Sequence, residues 1–452
     1  MQVWGGIECT IARVGSNSFD QLARSGHYSR IDDLELIASL GISTLRYPLL
    51  WERAATSVPG VYDWSFADER LPRLRELGIR PIAGLVHHGS GPMWTNMLDD
   101  SFATGLADYA GQVARRYPWL QCYTPVNEPL TTARFSGLYG HWYPHARDTR
   151  AFARMLINEC RATVLAMQAI RAVNPAAKLV QTDDLGTVYA TGPLQYQAEF
   201  ENERRWLGWD LLLGRVDVTH PLYRHLLRCG IGTGEIAWFR EQGCGPDLIG
   251  IDHYVTSDRF LDHRLSLYPE STHGGNGRER YADVEAVRVL DRPGTSLRHV
   301  ILEAARRYQL PIALTEVHIG CDVDEQVRWL HDAWTTCVQL EASGVPIRAV
   351  TPWAMLGCYD WDTLMTRGGD TYESGAFCLR GGRPRPTALA EYIASLAGRC
   401  KLDRAAALSA AAPGWWRRAD RLLHGHALPC NPEPSWDTIT ARSGVGTTSR
   451  VP

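Results

Sequence analysis

Apolar and polar positions form a repeating pattern along most of the chain. Short apolar runs are typical of buried strands, and longer stretches with apolar residues at helical spacing are typical of packed helices. The apolar runs predict strands over 2–8, 42–47, 80–86, 121–126, 177–182, 247–252, 310–315 and 347–353. The stretches between them predict helices over 30–40, 66–77, 101–116, 150–173, 295–308 and 324–343.

The segment SRIDDLELIASLGISTLRYP shows one such repeat. Ser29 is predicted to cap a helix and Gly41 to end it, and a strand-forming run follows. The buried stripe of this helix is predicted at Ile31, Leu34, Ile37 and Ala38.

Strands that alternate with helices predict a parallel sheet, because parallel neighbours need a crossover connection. Eight repeats predict a (β/α)8 barrel, in which the carboxyl ends of the strands meet on one face. A doubly wound sheet is the alternative. We favour the barrel because no glycine-rich phosphate turn follows the first strand and because charged residues recur at strand ends. Residues 192–246 and 262–292 are predicted to be long loops or insertions on that face.

The length of 452 residues allows one large domain or two ordinary ones. We predict a barrel domain over 1–400 and a C-terminal extension over 401–452. Within the extension, APGWWRRADRLL is predicted to form one more helix, and the last stretch, CNPEPSWDTITARSGVGTTSRVP, is predicted to be disordered.

The net charge and the arrangement of the cysteines bear on the expected binding partners and cellular location. The net charge of −3 and the pI near 6.6 give no reason to expect a nucleic-acid or membrane partner. The first residues lack a signal-peptide pattern, and no apolar run approaches the ~18 residues of a spanning helix. The 11 cysteines are scattered without CxxC pairs, which favours reduced thiols and a cytoplasmic location.

Two glutamates stand at predicted strand ends that are far apart in sequence. Glu128, in YTPVNEPL, follows the fourth strand, and Glu316, in ALTEVHIG, ends the seventh. Closure of a barrel would bring them face to face across its mouth. Two carboxyl groups about 5–5.5 Å apart suit retaining glycoside hydrolysis, one as the nucleophile and the other as the acid/base.

Both segments resemble motifs of family 1 glycoside hydrolases. YTPVNEP resembles the NEP segment of that family, and ALTEVHIG resembles its second glutamate segment, TENG. Over roughly residues 1–395, other segments resemble motifs of the same family and occur in the family's order. They are LRYPLLWER, LVHHGSGP, LIGIDHYVTS and TPWAMLGCYDW. With its YESGAF segment, the chain also resembles barrel domains that are fused to dTDP-4-dehydrorhamnose reductase-like domains.

The resemblance implies a retaining β-glycosidase in which Glu316 is the nucleophile and Glu128 the acid/base. It implies that Asn127 hydrogen-bonds the sugar 2-hydroxyl, and that Arg46 and Tyr254 hold Glu316 ionised and oriented. The glycon would be bound by His87, Trp353, Asp360 and Trp361.

Several positions depart from the family pattern. His88 stands where the family has Trp, Asp252 where it has Asn, and Asp360 where it has Glu. TENG has become TEVH, which places His318 two residues after Glu316. The N-terminal Gln and Glu of the family have no clean match, and Glu8 is the candidate for part of their role. We therefore assign substrate binding to Glu8, His88, Asp252 and His318 as well, and predict an unusual glycon.

Three other functions stay open. One is a transglycosidase that uses the same two glutamates, and another is a glycan-binding pseudoenzyme. The third is a metal-dependent hydrolase, because strand ends carry His87, His88, His253, His318 and Asp252. The sequence lacks an HxH on the first strand and an HExxH helix, so we predict no metal and no cofactor. The predicted partner is a carbohydrate or glycoside, and homo-oligomer formation is left open.

Two charged pairs are also of interest. Asp183 and Asp184 follow the fifth strand, so that they either reach the mouth of the barrel or lie in a solvated loop. Arg204 and Arg205 are predicted to lie on a solvated helix face.

Overall fold

In the computed structural model, which describes residues 1–424, eight parallel strands close into a barrel. The strands after the first are Thr44–Pro48, Arg80–His87, Cys122–Asn127, Lys178–Asp184, Leu248–Asp252, Ile312–Val317 and Ile347–Pro352. The first strand is split into Gln2–Val3, which pairs with the eighth strand, and Gly5–Gly6, which pairs with the second. This split strand closes the sheet into a ring, and the predicted (β/α)8 barrel is confirmed.

Helices cover the outside of the barrel. The longer ones are Ser65–Glu76, Asp100–Arg116, Thr149–Val173, Leu297–Tyr308 and Val323–Ala342, and shorter ones are Gln21–Ser25, Asp33–Ser39, Trp51–Ala54, Pro129–Ala133 and Ala388–Leu396. Aspartate side chains cap three of the longer helices: Asp99 accepts from Ser101 N–H, Asp148 from Arg150 and Ala151 N–H, and Asp322 from Glu325 N–H. Such caps satisfy backbone donors that have no partner within the helix.

The predicted helix over 30–40 begins later than its sequence suggests. It spans Asp33–Ser39 with Asp32 at the N-cap position, so the predicted capping role of Ser29 is wrong. Ser29 instead ends a 3-10 turn, His27–Ser29, and its hydroxyl donates to the carbonyl of Gly26. Gly41 follows the helix with a φ of 84°, as its predicted stopping role requires.

The segments predicted as long loops have regular structure. Residues 192–246 contain the helices Gln195–Arg204, Leu207–Leu212, Tyr223–Arg228 and Thr233–Gln242. Residues 262–292 contribute His273–Gly275 and Arg280–Glu285 to a four-stranded sheet with Val188–Ala190 and Arg259–Asp262. Three short hairpins complete the strands: Ile11–Val14 with Asn17–Asp20, Cys358–Tyr359 with Tyr372–Glu373, and Phe377–Cys378 with Arg385–Pro386.

The part of the C-terminal extension that the structure describes packs on the helix Val323–Ala342. It forms the helix Arg404–Ala410 and two 3-10 turns, Trp415–Arg417 and Ala419–Arg421, so the single helix predicted for APGWWRRADRLL is wrong. Trp416 is buried and donates to Asp332 Oδ2 at 2.9 Å. The stretch predicted to be disordered lies outside the described residues.

The barrel interior is filled by side chains. One layer combines Trp4, Ile82, Val180, Leu248, Ala313 and Ala349. Within residues 1–424, no helix is long and apolar enough to cross a membrane. The cysteines described there are free thiols, and the cytoplasmic location stays a prediction.

Candidate active site

A cavity of about 500 Å³ opens at the carboxyl ends of the strands. Its floor includes residues at or just after strand ends, and its outer wall includes residues of the segments inserted after the fifth and sixth strands. The floor residues are Glu8, Glu128, Asp184, Tyr254, Glu316 and Trp353, and the outer wall includes Glu201, Arg204, Arg205, Arg259 and Asp283. Arg204 and Arg205 are buried, so their predicted position on a solvated face is wrong.

Glu316 is the last residue but one of the seventh strand and receives one hydrogen bond on each carboxylate oxygen. Arg46, on the second strand, donates to Oε1 at 2.7 Å, and Tyr254 donates its phenolic hydrogen to Oε2 at 2.5 Å. The same guanidinium group also donates to the carbonyl of Thr315 at 2.8 Å. The Glu316 carboxylate is therefore fixed in orientation at the floor of the cavity.

Asn127 is held by the same arginine. Its Oδ1 accepts from Arg46 at 2.5 Å and from the hydroxyl of Thr182 at 2.7 Å. Its amide nitrogen lies 3.4 Å from His87 Nε2. Arg46 thus links the second, fourth and seventh strands across the barrel.

Glu128 follows the fourth strand in an unusual backbone conformation. Its φ of 45° lies in the left-handed region, which non-glycine residues seldom adopt and which often marks functional positions. Pro129 then starts a short helix whose first N–H groups, those of Leu130 and Thr131, donate to Asp183 at 3.0 and 3.3 Å. Asp183 therefore anchors the turn that aims Glu128 into the cavity.

Three buried carboxyl groups meet beneath the cavity. One oxygen each of Glu128, Asp252 and Glu316 lies within 4.8 Å of the others. Neither oxygen of Asp252, nor Oε1 of Glu128, has a hydrogen-bond partner among the described residues. Only Arg46, whose guanidinium is 3.9 Å from Asp252, places a cation against this group within the described part of the chain.

This crowding shifts the proton affinities of the three groups. Burial, followed by Asp252 and Glu316, raises the pKa of Glu128 well above its ordinary value. Burial and Asp252 raise the pKa of Glu316 to about 8, while Arg46 and the hydroxyl of Tyr254 lower it. Burial also raises the pKa of Asp252. Glu316 is thus the better stabilised carboxylate, and Glu128 has the stronger hold on a proton.

The two histidines at the end of the third strand, His87 and His88, have lowered pKa values. Burial lowers the pKa of His88 to about 3 and that of His87 well below its usual range. His88 Nε2 lies 3.5 Å from Glu128 Oε2, and its Nδ1 pairs with the hydroxyl of Thr132 at 2.9 Å. The ring of His87 stacks on Trp353 at 5.4 Å between centroids. His88 lines the cavity, whereas His87, which is predicted to bind the glycon, does not.

Most predicted glycon residues reach the cavity wall. Glu8, His318, Trp353 and Trp361 line it, and Trp353 Nε1 donates to Glu8 Oε2 at 3.1 Å. Asp360 does not line it. Its carboxylate accepts from Arg24 at 2.7 Å and from Thr371 N–H at 2.9 Å. The position predicted for direct sugar contact is therefore part of an ion pair beside the cavity.

Sequence reasoning missed several wall residues. Cys358 and Glu373 lie beside His318, and Arg134 comes from a turn of π-helix that continues the helix after Glu128. YESGAF was the available signal for Glu373, but the motif gave no reason to assign chemistry to it. Asp184 does reach the cavity, and it accepts a hydrogen bond from Ser257 at 2.5 Å.

Comparison with known proteins gives the fold. No family model matches the chain. Over 217 residues the chain is 24% identical to Beta-glucosidase A of Thermotoga maritima, covering 45% of this chain and about half, 46%, of that protein. Over 380 residues it is 23% identical to Beta-glucosidase 4 of Oryza sativa subsp. japonica, covering 74% of this chain and 77% of that protein.

Solved structures can be superposed on a larger part of the chain. A family 1 β-glucosidase from Thermotoga maritima has a TM-score of 0.69 at 15% identity, covering 89% of this chain and 98% of that one. The chain shares the (β/α)8 barrel fold of that enzyme. A β-glucosidase from the same organism in complex with cyclophellitol gives a TM-score of 0.70 at 16% identity, with the same coverage. At this level of identity, the β-glucosidase fold is shared and the chemistry must be argued from the site.

Proposed function

We propose that the protein is a retaining β-glycosidase. The observation that carries this proposal is the placement of Glu128 and Glu316, whose nearest carboxylate oxygens are within 4.8 Å at the ends of two barrel strands. Retaining enzymes have their carboxyl groups about 5–5.5 Å apart, whereas inverting enzymes leave about 6.5–9.5 Å for a water molecule. Three of the similar proteins are named as β-glucosidases, which supports the same substrate class.

The different surroundings of the two glutamates support their roles. Glu316, with a donor on each oxygen, attacks the anomeric carbon and forms a glycosyl ester as the glycosidic bond breaks. Glu128 gives its proton to the leaving oxygen. In the second step Glu128 takes a proton from water, the water oxygen attacks the anomeric carbon, and Glu316 leaves as a carboxylate.

Asn127 and Arg46 complete the proposed machinery. The Asn127 carbonyl oxygen is occupied by Arg46 and Thr182. Its amide nitrogen lies 3.4 Å from His87 Nε2, so one amide hydrogen is left for a sugar 2-hydroxyl. A hydrogen bond to this hydroxyl strengthens as positive charge develops on the sugar ring. Arg46 holds the amide and the nucleophile in one fixed arrangement.

We also propose an unusual glycon. Asp360 is engaged by Arg24, and His88 and His318 contribute imidazole rings to the wall where the family pattern has other residues. The tryptophan faces of Trp353 and Trp361 remain in the cavity wall and suit stacking against a sugar ring. A sugar whose hydroxyl groups differ from those of glucose fits this set of contacts.

The test is a panel of aryl β- and α-glycosides that includes deoxy sugars, fucosides and uronides. We expect turnover of a β-glycoside, release of the β-anomer as the first product by NMR, and loss of turnover in Glu316→Gln. Glu201→Gln is the matched control, because it neutralises a carboxylate in the outer wall of the same cavity. Activity that survives in Glu316→Gln, or an inverted first product, would contradict the proposal. Saturable glycan binding without any turnover would favour a binding protein.

A further inference from the structure

Three side chains of different chemistry converge at one edge of the cavity. His318 follows the seventh strand, Cys358 lies in the hairpin after the eighth, and Glu373 lies in the opposite strand of that hairpin. One donor atom of each lies within 4.8 Å of the others. His318 and Cys358 are buried and Glu373 is half-buried, so the group is held by the fold.

Two of the three donor–donor spacings match those around a small metal ion. His318 Nε2 is 3.3 Å from Glu373 Oε2, and Cys358 Sγ is 3.7 Å from the same oxygen. Around tetrahedral zinc, with bonds of about 2.0–2.3 Å, neighbouring donor atoms are about 3.3–3.8 Å apart. The side chains therefore need little movement to become ligands.

The donor set indicates which ions would bind. An imidazole nitrogen, a thiolate and a carboxylate form a mixed set of the kind that zinc accepts, while magnesium and calcium prefer oxygen ligands. His318 Nδ1 is buried without a hydrogen-bond partner among the described residues. The hydrogen bonds within the cluster therefore leave one ring nitrogen of His318 without a partner among the described residues.

A glycine makes room for the carboxylate. A Cβ at Gly320 would come within 2.6 Å of Glu373 Oε2, so a larger residue there would displace the carboxylate. His318, Gly320, Cys358 and Glu373 all line the cavity.

We propose that His318, Cys358 and Glu373 bind a zinc-class divalent cation through three protein ligands, with the remaining coordination position facing the cavity. Binding replaces the thiol proton of Cys358, which passes to solvent, so affinity rises with pH. The site shares the cavity with Glu316 but does not depend on glycosidase activity.

The test is metal binding by the full-length protein after treatment with a chelator. We expect one Co²⁺ per chain, with the near-ultraviolet charge-transfer band of a thiolate ligand and the strong visible bands of tetrahedral cobalt, displaced by one equivalent of Zn²⁺. Cys358→Ser should abolish the charge-transfer band, and Glu373→Gln should weaken binding. Cys122→Ser is the matched control, because Cys122 is a half-buried cysteine at the opposite end of the barrel.

A second variant separates loss of a ligand from loss of folding. Gly320→Ala keeps all three donors but displaces the Glu373 carboxylate, and it should weaken cobalt binding while its circular dichroism stays that of the native chain. Wild-type protein without the thiolate band, or an unchanged band in Cys358→Ser, would overturn the proposal. Absence of glycosidase activity would leave it standing.

Discussion

Tyr254 donates its phenolic hydrogen to the oxygen of Glu316 that Arg46 leaves free. The two hydrogen bonds, 2.5 Å to Oε2 and 2.7 Å to Oε1, come from the sixth-strand loop and from the second strand. Together they fix the plane of a carboxylate that is otherwise surrounded by negative groups. The tyrosine therefore has an electrostatic role as well as a positional one.

Replacing Tyr254 by Phe tests that role. Loss of a hydrogen bond to a charged group costs about 1.5–3 kcal/mol, so kcat/KM should fall about 10- to 100-fold on the best substrate of the panel. The hydroxyl lowers the pKa of Glu316, so its removal should raise that pKa and move the acid limb of the pH profile to higher pH. Tyr392→Phe removes a comparable hydrogen bond, to His331, outside the cavity and should leave both parameters unchanged. A change in KM alone would count against this role.

Neutralising Asp252 tests the carboxyl cluster. Asp252 raises the pKa of both Glu128 and Glu316, so in Asp252→Asn both limbs of the kcat/KM profile should move to lower pH. The profile is measured with chelator present, so that metal binding does not contribute. If both limbs of the pH profile stay at the wild-type pH, Asp252 is not charged in the active enzyme.

The same cluster makes stability depend on pH. A carboxyl group whose pKa is higher in the folded state stabilises the fold at low pH, and this contribution is lost as pH rises through the folded-state pKa. The melting temperature of the wild type should fall between the ordinary carboxyl pKa near 4 and the value of about 8 for Glu316. The melting temperature of Asp252→Asn should fall less steeply over that pH range. Thermal melts of both proteins across this pH range check the prediction. Parallel plots of melting temperature against pH would contradict it.

Asp183 is expected to act through Glu128. In Asp183→Ala the N–H groups of Leu130 and Thr131 lose their acceptor, and the turn that aims Glu128 loosens. Turnover should fall most for glycosides with poor leaving groups, because only these need protonation during bond cleavage. Asp148→Ala removes a similar helix cap outside the cavity and should not change the dependence on leaving group. Equal losses on good and poor leaving groups would show that Asp183 supports only the fold.

Gly6 sets the position of Trp353. A Cβ at Gly6 would lie 2.4 Å from the indole ring, so Gly6→Ala must displace this side chain. We expect a higher KM with a smaller change in kcat, because Trp353 would contact the sugar without joining the bond-breaking step. Gly84→Ala, where the nearest atom is 3.9 Å from the added Cβ, is the control within another barrel strand. Unchanged kinetics in Gly6→Ala would argue against stacking on Trp353.

The barrel and its central residues could be predicted because they depend on local signals. Repeats of apolar run and helix reveal the strands, and strand ends in a closed barrel meet whatever their separation in sequence. Glu128, Glu316, Arg46, Asn127 and Tyr254 come together for that reason. The motif resemblance added their proposed roles.

Other features depend on contacts that no local pattern shows. The helices within 192–246 are short, and polar and apolar residues are poorly separated on their faces, so the sequence predicts only long loops or insertions there. Asp360 forms an ion pair with Arg24, which is far away in sequence. The cluster of His318, Cys358 and Glu373 joins three segments, and none of them carries a metal-binding spacing.

The division of the cavity between strand ends and inserted segments has an evolutionary consequence. The spacing of Glu128 and Glu316 is set by barrel closure and by Arg46, whereas Glu201, Arg204, Arg205 and Arg259 belong to additions that lie outside the ring of strands. Mutations in those additions can change which molecules are admitted without disturbing the distance between the two glutamates. In the proposed glycosidase, selection can therefore act on substrate choice and on bond cleavage separately.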